Sequence, residues 1–271
     1  MPQIEPQDEA LKSLTGLHLW HAPMSSCSQR CRIVLAETGK AYESHLVDLE
    51  KGEHASPAYQ RIHPKGLVPA FVDNGDLYIE SIDIIQQIAG PDSPLLAGNS
   101  GDLLARADAA QVDLKILSHE FLFRARPPMS EEEAAAFEQA HQNEWLRQFK
   151  RDFASGFDPD RLNQAAARTD AGFRHLDSLL ADQRAWLEGD VFSLSDIAWM
   201  PNIHRFSLMG WPFEATPFLA SWFDRIKDRP SYQKGLLDWQ PEPVAPLFAS
   251  YTETRRAAGT DIKSLPHFAG G

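Results

Sequence analysis

Apolar and polar positions alternate at Leu17-His18-Leu19-Trp20-His21, the two-residue period of a strand with one buried face. Ala22-Pro23-Met24-Ser25-Ser26 follows as a turn of helix-starting residues. The period then changes: Cys27, Cys31, Val34 and Leu35 recur at helical spacing, and Gly39 ends that helix. The pattern predicts a second strand over 42–48, a short helix over 56–62, and a third strand at Val68-Pro69-Ala70-Phe71-Val72. Asn74-Gly75-Asp76 reads as a hairpin turn into a fourth strand over 77–79, followed by an amphipathic helix over 81–88.

Beyond Gly90-Pro91-Asp92-Ser93-Pro94 the chain reads almost entirely as helix. Long helices are predicted over 102–124 and 131–154, parted by Arg126-Pro127-Pro128, and another over about 160–181. Ser130 with Glu133 and Ser193 with Asp196 are spaced as capping boxes. The helix after Ser193 carries Ile197, Trp199, Met200 and Ile203, so it is expected to be buried. Shorter helices are predicted over 217–228 and 231–238, and a proline-punctuated loop after Gln240. The resulting division is an N-terminal extension (1–14), an α/β thioredoxin-like unit (15–90), a linker (91–101), an all-α unit (102–240) and a C-terminal tail (241–271).

Composition narrows the function class. Of 271 residues, 43% are hydrophobic and 24% charged, which is globular rather than disordered. A formal net charge of −12 makes binding to phosphate backbones unfavourable. No apolar run approaches the ~20 residues of a membrane helix, and the acidic, proline-broken start is no signal peptide. A cytoplasmic protein acting on small molecules is the expectation. The two cysteines, Cys27 and Cys31, are four apart; that is neither a redox C-x-x-C nor a metal pair, so no metal is expected.

The chemistry lies in the front unit. Ser25-Ser26-Cys27 occupies the first strand-to-helix turn, where the helix N-terminus favours negative charge. A hydroxyl there can donate to a thiolate. A free thiol of pKa ~8.5 is roughly 3% ionised at pH 7, and a fall of ~2 units makes it about 75% ionised. Cys27 has two readings: a low-pKa nucleophile in its own right, or part of a core stripe with Cys31 and Leu35. Cys31 is assigned to packing. A cis Val68-Pro69 bond would turn backbone groups outward to pair with an extended peptide ligand. Ser81 is placed to cap the next helix and favour a carboxylate there, with Glu80 placed to meet an amino group.

These motifs together resemble the glutathione transferase family over residues 17–238. Ser25-Ser26-Cys27-Ser28-Gln29-Arg30 is similar to the S-S-C-S-x-R signature of the zeta class. Pro64-Lys65-Gly66-Leu67-Val68-Pro69 resembles the family's N-P-x-G-x-V-P with His63 in place of Asn, and Glu80-Ser81 stands at its E/Q-S pair. The long helical region also resembles bacterial zeta-like enzymes of the maleylacetoacetate isomerase, tetrachlorohydroquinone reductive dehalogenase and lignin β-etherase types. The resemblance implies glutathione as cosubstrate and a homodimer. Ser25 would ionise the glutathione thiol, and Cys27 would stand by or resolve a mixed disulfide. Val68 beside Pro69 would hold the cysteinyl backbone, Glu80 with Ser81 the γ-glutamyl end, and Lys65 the glycine carboxylate. The implied reaction is attack on a small hydrophobic electrophile, aromatic or halogenated, by conjugation, dehalogenation or ether cleavage. A cis-trans isomerase and a non-catalytic binding protein are the alternatives. Arg124, Arg126, Arg147, Lys150 and Arg151 lie on helices that would flank the electrophile, either selecting an acidic substrate or forming a solvated face.

Overall fold

A computed structural model describes residues 3–98 and 101–269. Residues 99 and 100 of the expected linker, and the two residues at each end of the chain, lie outside the described part. The strands are β1 (Gln3–Ile4), β2 (Leu17–His21), β3 (Glu43–Leu46), β4 (Ala70–Asp73) and β5 (Asp76–Tyr78). They form one mixed sheet in the order β1-β5-β4-β2-β3. Strands β2 and β3 are parallel, with His18 opposite Glu43, and are joined through helix α1 (Ser26–Thr38) in a βαβ crossover. Strand β4 returns antiparallel beside β2, and Asn74-Gly75 turns it into β5. Both turn residues have positive φ, 48° and 91°, as a two-residue hairpin loop requires. The expected thioredoxin-like unit is present; strand β1, on the edge beside β5, adds to it a pairing for a segment read as a mere extension.

Helix α2 (Pro57–Ile62) starts at Ser56, whose side chain accepts from Tyr59 N–H, and α3 (Ser81–Ala89) follows β5. The rest is helical: α4 (Asp102–Ala109), α5 (Gln111–Phe121), α6 (Glu131–Ala140), α7 (Glu144–Ser155), α8 (Pro159–Leu180), α9 (Leu194–Leu208), α10 (Pro217–Lys227), α11 (Pro230–Gly235) and α12 (Val244–Ala257). None of these is long and apolar enough to cross a membrane. Leu19, Cys31, Ile33, Phe71 and Ile84 of the front unit join Leu117, Phe173, Ile197 and Met200 of the helices in one continuous core. Helix α9 is buried as expected. Asp196 accepts from Ser193 N–H at 2.9 Å, and its other oxygen accepts from Leu187 N–H and Trp222 Nε1–H.

Three expectations need correction. The two long helices are each broken in two, at Ala110 and at His141-Gln142-Asn143. At the second break His141 leaves the helix to donate from Nε2 to Gly66 O at 3.1 Å, while Asn143 caps α7 and donates to Lys65 O. Contact with the front unit outweighs helix continuity there. The third correction is the tail, which is not loop: α12 packs on α9 with Phe248 buried, and Arg255 pairs with Glu120 at 2.9 Å. Pro246 is the third residue of α12, where its missing N–H would have no partner within the helix in any case.

Candidate active site

Ser25 is the N-cap of α1, and its Oγ accepts from Ser28 N–H at 3.2 Å. Among the described residues nothing accepts the proton of its hydroxyl. Its neighbours are less available. Ser26 donates to Gln111 Oε1 at 2.6 Å, and Ser28 is fully buried with its oxygen accepting from Ala22 N–H. Cys27 Sγ points to the same Gln111 oxygen at 3.6 Å, and Gln111 in turn donates to Asn202 of α9. Cys31 is fully buried, and burial pushes its thiol far up, which fits packing and not chemistry.

The turn that carries Ser25 is fixed by arginines. Arg32 donates to Ala22 O at 3.2 Å and Pro23 O at 2.9 Å, and Arg205 of α9 donates to Met24 O at 2.5 Å. Arg30, with none of its surface exposed, reaches Ala198 O, Ser81 Oγ, Asp108 and Ala107 O, stitching α1 to α3, α4 and α9. These contacts occupy the carbonyls of three successive residues ahead of the serine.

On the facing loop the Val68-Pro69 bond is cis. Val68 itself lies outside β4, and among the described residues neither its N–H nor its C=O has a protein partner. Its neighbour Leu67 accepts from Tyr59 Oη at 2.7 Å, which anchors the loop on α2. Gly66 has a φ of 58°, and a Cβ there would lie 2.7 Å from His141 Nε2 and 2.9 Å from His54 O, so only glycine lets the loop meet the helices. Lys65 Nζ and Glu80 Oε1, placed by the sequence at opposite ends of the ligand, pair with each other at 2.5 Å. Ser81 is not the cap of α3. Glu80 holds that position, and Ser81 is the first helical residue, its Oγ accepting from Arg30 at 3.1 Å.

Lys115 and His119 of α5, with Phe123 just beyond its end, form one stripe toward α7, which presents Trp145, Phe149 and Phe153. Lys115 Nζ lies 4.7 Å from the Trp145 ring centre and 4.8 Å from that of Phe149. It has no hydrogen bond and no carboxylate partner among the described residues. Burial, then the nearby charge of Lys150, lowers its pKa to about 7, against a smaller raising effect of Cys27. Burial also lowers Lys150, whose Nζ among the described residues meets only Met129 Sδ at 3.9 Å and the Phe137 ring at 5.5 Å. His119 is held well below its usual pKa by burial and by Lys115. Phe248 of α12 lies edge-on to Phe123.

The flanking basic residues therefore divide. Arg147 and Arg151 pair with Glu144 and Glu138 on the surface, Arg124 with Glu120, and Arg126 with Glu50, while Lys150 turns inward. Lys115 and Arg205 were not singled out from the sequence; the spacing of Lys115, His119 and Phe123 was the available signal.

Residues 24–89 match the family model of the glutathione S-transferase N-terminal domain, and residues 159–225 that of its C-terminal domain. The chain is 31% identical to glutathione S-transferase hmp2 of Hypomyces subiculosus, covering 80% of this chain and 96% of that one. It is 29% identical to glutathione S-transferase Z2 of Arabidopsis thaliana, over 83% and 93% of the two chains. A third relative is the maleylacetoacetate isomerase of Pseudomonas aeruginosa, 29% identical over 82% and 96%. Among solved structures the fold is similar to that of the beta-etherase LigF from Sphingobium sp. strain SYK-6, with a TM-score of 0.71 at 22% identity, covering 81% of this chain and 98% of that one.

Proposed function

The chain belongs to the glutathione S-transferase family, and from that premise we propose that it ionises glutathione at Ser25 and directs the thiolate at a small aromatic electrophile. The observation that carries this reading is the Ser25 hydroxyl, at the N-terminus of a 13-residue helix with its proton uncommitted. Glutathione would pair its cysteinyl backbone with the unpartnered N–H and C=O of Val68. That would bring its sulfur to the Ser25 turn and its γ-glutamyl end to Glu80 and Ser81. Binding separates the Lys65–Glu80 pair, freeing each for one terminus of the tripeptide; the pair is exposed, so little stability is lost.

The serine's donated hydrogen bond and the helix dipole stabilise the thiolate more than the thiol. A fall of ~2 pKa units corresponds to about 2.7 kcal/mol of that preference. The electrophile would lie against the α5 and α7 aromatic stripe, so that orientation supplies the remainder. Cys27 is held by Gln111 and has no necessary part in conjugation. In a reductive branch it would attack a glutathione conjugate, release reduced product and leave a mixed disulfide.

The test is the ultraviolet absorbance of bound glutathione thiolate from about pH 5 to about pH 10. A bound pKa depressed by about 2 units, returning toward ~8.5 in Ser25→Ala, is expected. A depressed pKa indifferent to Ser25 would shift the mechanism to Cys27. Binding without any thiolate signal would leave a non-catalytic protein.

A further inference from the structure

Lys115 and Lys150 present two ammonium groups to neighbouring aromatic rings, and no protein carboxylate answers either of them among the described residues. The chain as a whole carries 38 acidic residues against 26 basic ones, and the other cations flanking these rings, apart from Arg205, have found acidic partners. Two half-buried like charges that act on each other disfavour each other, and an anion between them relieves both.

We infer that the electrophile pocket is built for an anionic aromatic molecule, an aryl carboxylate or phenolate, whose charge is taken by Lys115 and Lys150 and whose ring lies along Trp145 and Phe149. The inference deepens the transferase reading by naming the substrate class of the same site.

Geometry supports the pairing. Trp145 and Phe149 are stacked at 5.4 Å with an interplanar angle of 20°, and Trp145 is 45% exposed, so this ring pair is open to an incoming ring. Lys115 sits over both of these rings and also feels Cys27, two residues from Ser25. A ligand charge held at Lys115 therefore leaves its ring close to the thiolate turn. Lys115 is faced by Lys150 from α7, Cys27 from α1, and His54 and His141 from the side of the Gly66 loop, with His119 on its own helix. All three of these histidines are shifted toward the neutral form, so none supplies a competing charge at neutral pH. With Lys115 titrating near 7, a bound carboxylate would pull a proton onto it, and affinity is expected to fall as the pH rises above that point.

The experiment is calorimetric titration of the full chain with 2-naphthoate and with the isosteric neutral 2-naphthamide, each without glutathione. Naphthoate is expected to bind at least about tenfold tighter than naphthamide near pH 6.5, with the ratio shrinking by pH 9. Lys115→Met and Lys150→Met should each lose about tenfold for naphthoate and leave naphthamide unchanged, and Lys115→Arg should retain the preference. Equal binding of the two probes by the wild type, or a ratio unmoved in both methionine variants, overturns the inference. The glutathione thiolate signal is read on the same proteins. A thiolate without naphthoate preference refutes the anion site alone. A preference without a thiolate refutes the serine mechanism alone, and leaves the pocket as an anion-binding site.

Discussion

Two pairs of cations near the Ser25 turn, one fully buried and one half-buried, are treated oppositely. Arg30 and Arg32 each make four hydrogen bonds to carbonyls and side chains drawn from both halves of the molecule. Lys115 and Lys150 make none to any oxygen or nitrogen among the described residues, and rest on aromatic faces. A buried charge with four of its five donors used is part of the framework, because its removal takes a donor from several acceptors at once. A half-buried charge with no partner is a standing cost to the fold, offset only partly by the ring faces beneath it. The difference separates the framework of the site from the groups proposed to meet a ligand.

The comparison breaks first at Arg30. Arg30→Met removes the guanidinium that donates to Ala107 O, Ala198 O and Ser81 Oγ, and is expected to cost about 3–5 kcal/mol in denaturant unfolding. A loss below about 1 kcal/mol would mean the stitch is ornamental.

Next comes acid. His21, beside Arg32, and His54, beside Lys115 and Lys150, are each pushed down to about 3, first by burial and then by neighbouring positive charge. Both are neutral in the native chain and titrate near 6.5 when unfolded. Their contribution is therefore complete above about pH 6.5 and is lost as the pH falls from there toward 3, by about 1.4 kcal/mol per unit for each group. Thermal melts at successive pH values should show this limb. Lys115→Met should shorten the share of His54 and leave that of His21 in place, since the two answer to different cations.

The smallest effect is the most discriminating. Lys115→Met, which would be disastrous if Lys115 resembled Arg30, is expected to leave stability unchanged or raise it by up to about 1 kcal/mol. A drop of more than about 1 kcal/mol in the unfolding free energy would place Lys115 with the arginines and remove the reason to seek an anion.

What the sequence disclosed follows the same division. Strand alternation at 17–21, the Asn74-Gly75 turn and the two capping boxes are local signals, and the observed elements follow them closely. Ser25, Val68 and Glu80 were recognisable because each lies within a short motif whose neighbours are adjacent in the chain. Lys115 was not. Its inward direction depends on the break at Ala110 and on rings from a helix about thirty residues further on, which no local pattern encodes. The breaks at Ala110 and His141 escaped for a related reason: helix periodicity runs through both, and only the docking of Gln111 on Ser26 and of His141 on Gly66 interrupts it. Helix α12 was hidden by its own prolines, which sit at and before its first turn, where the backbone tolerates them.

The carbonyls of Ala22, Pro23 and Met24 have a bearing on descent. Two of the three are held from α1 and one by Arg205, from the far half of the chain. The seat of the serine is thus owned jointly, and the halves are not cassettes that recombination can exchange at will. A transplanted helical half would have to bring its own arginine to Met24, or the lineage receiving it would inherit a serine with nothing steadying the turn beneath it.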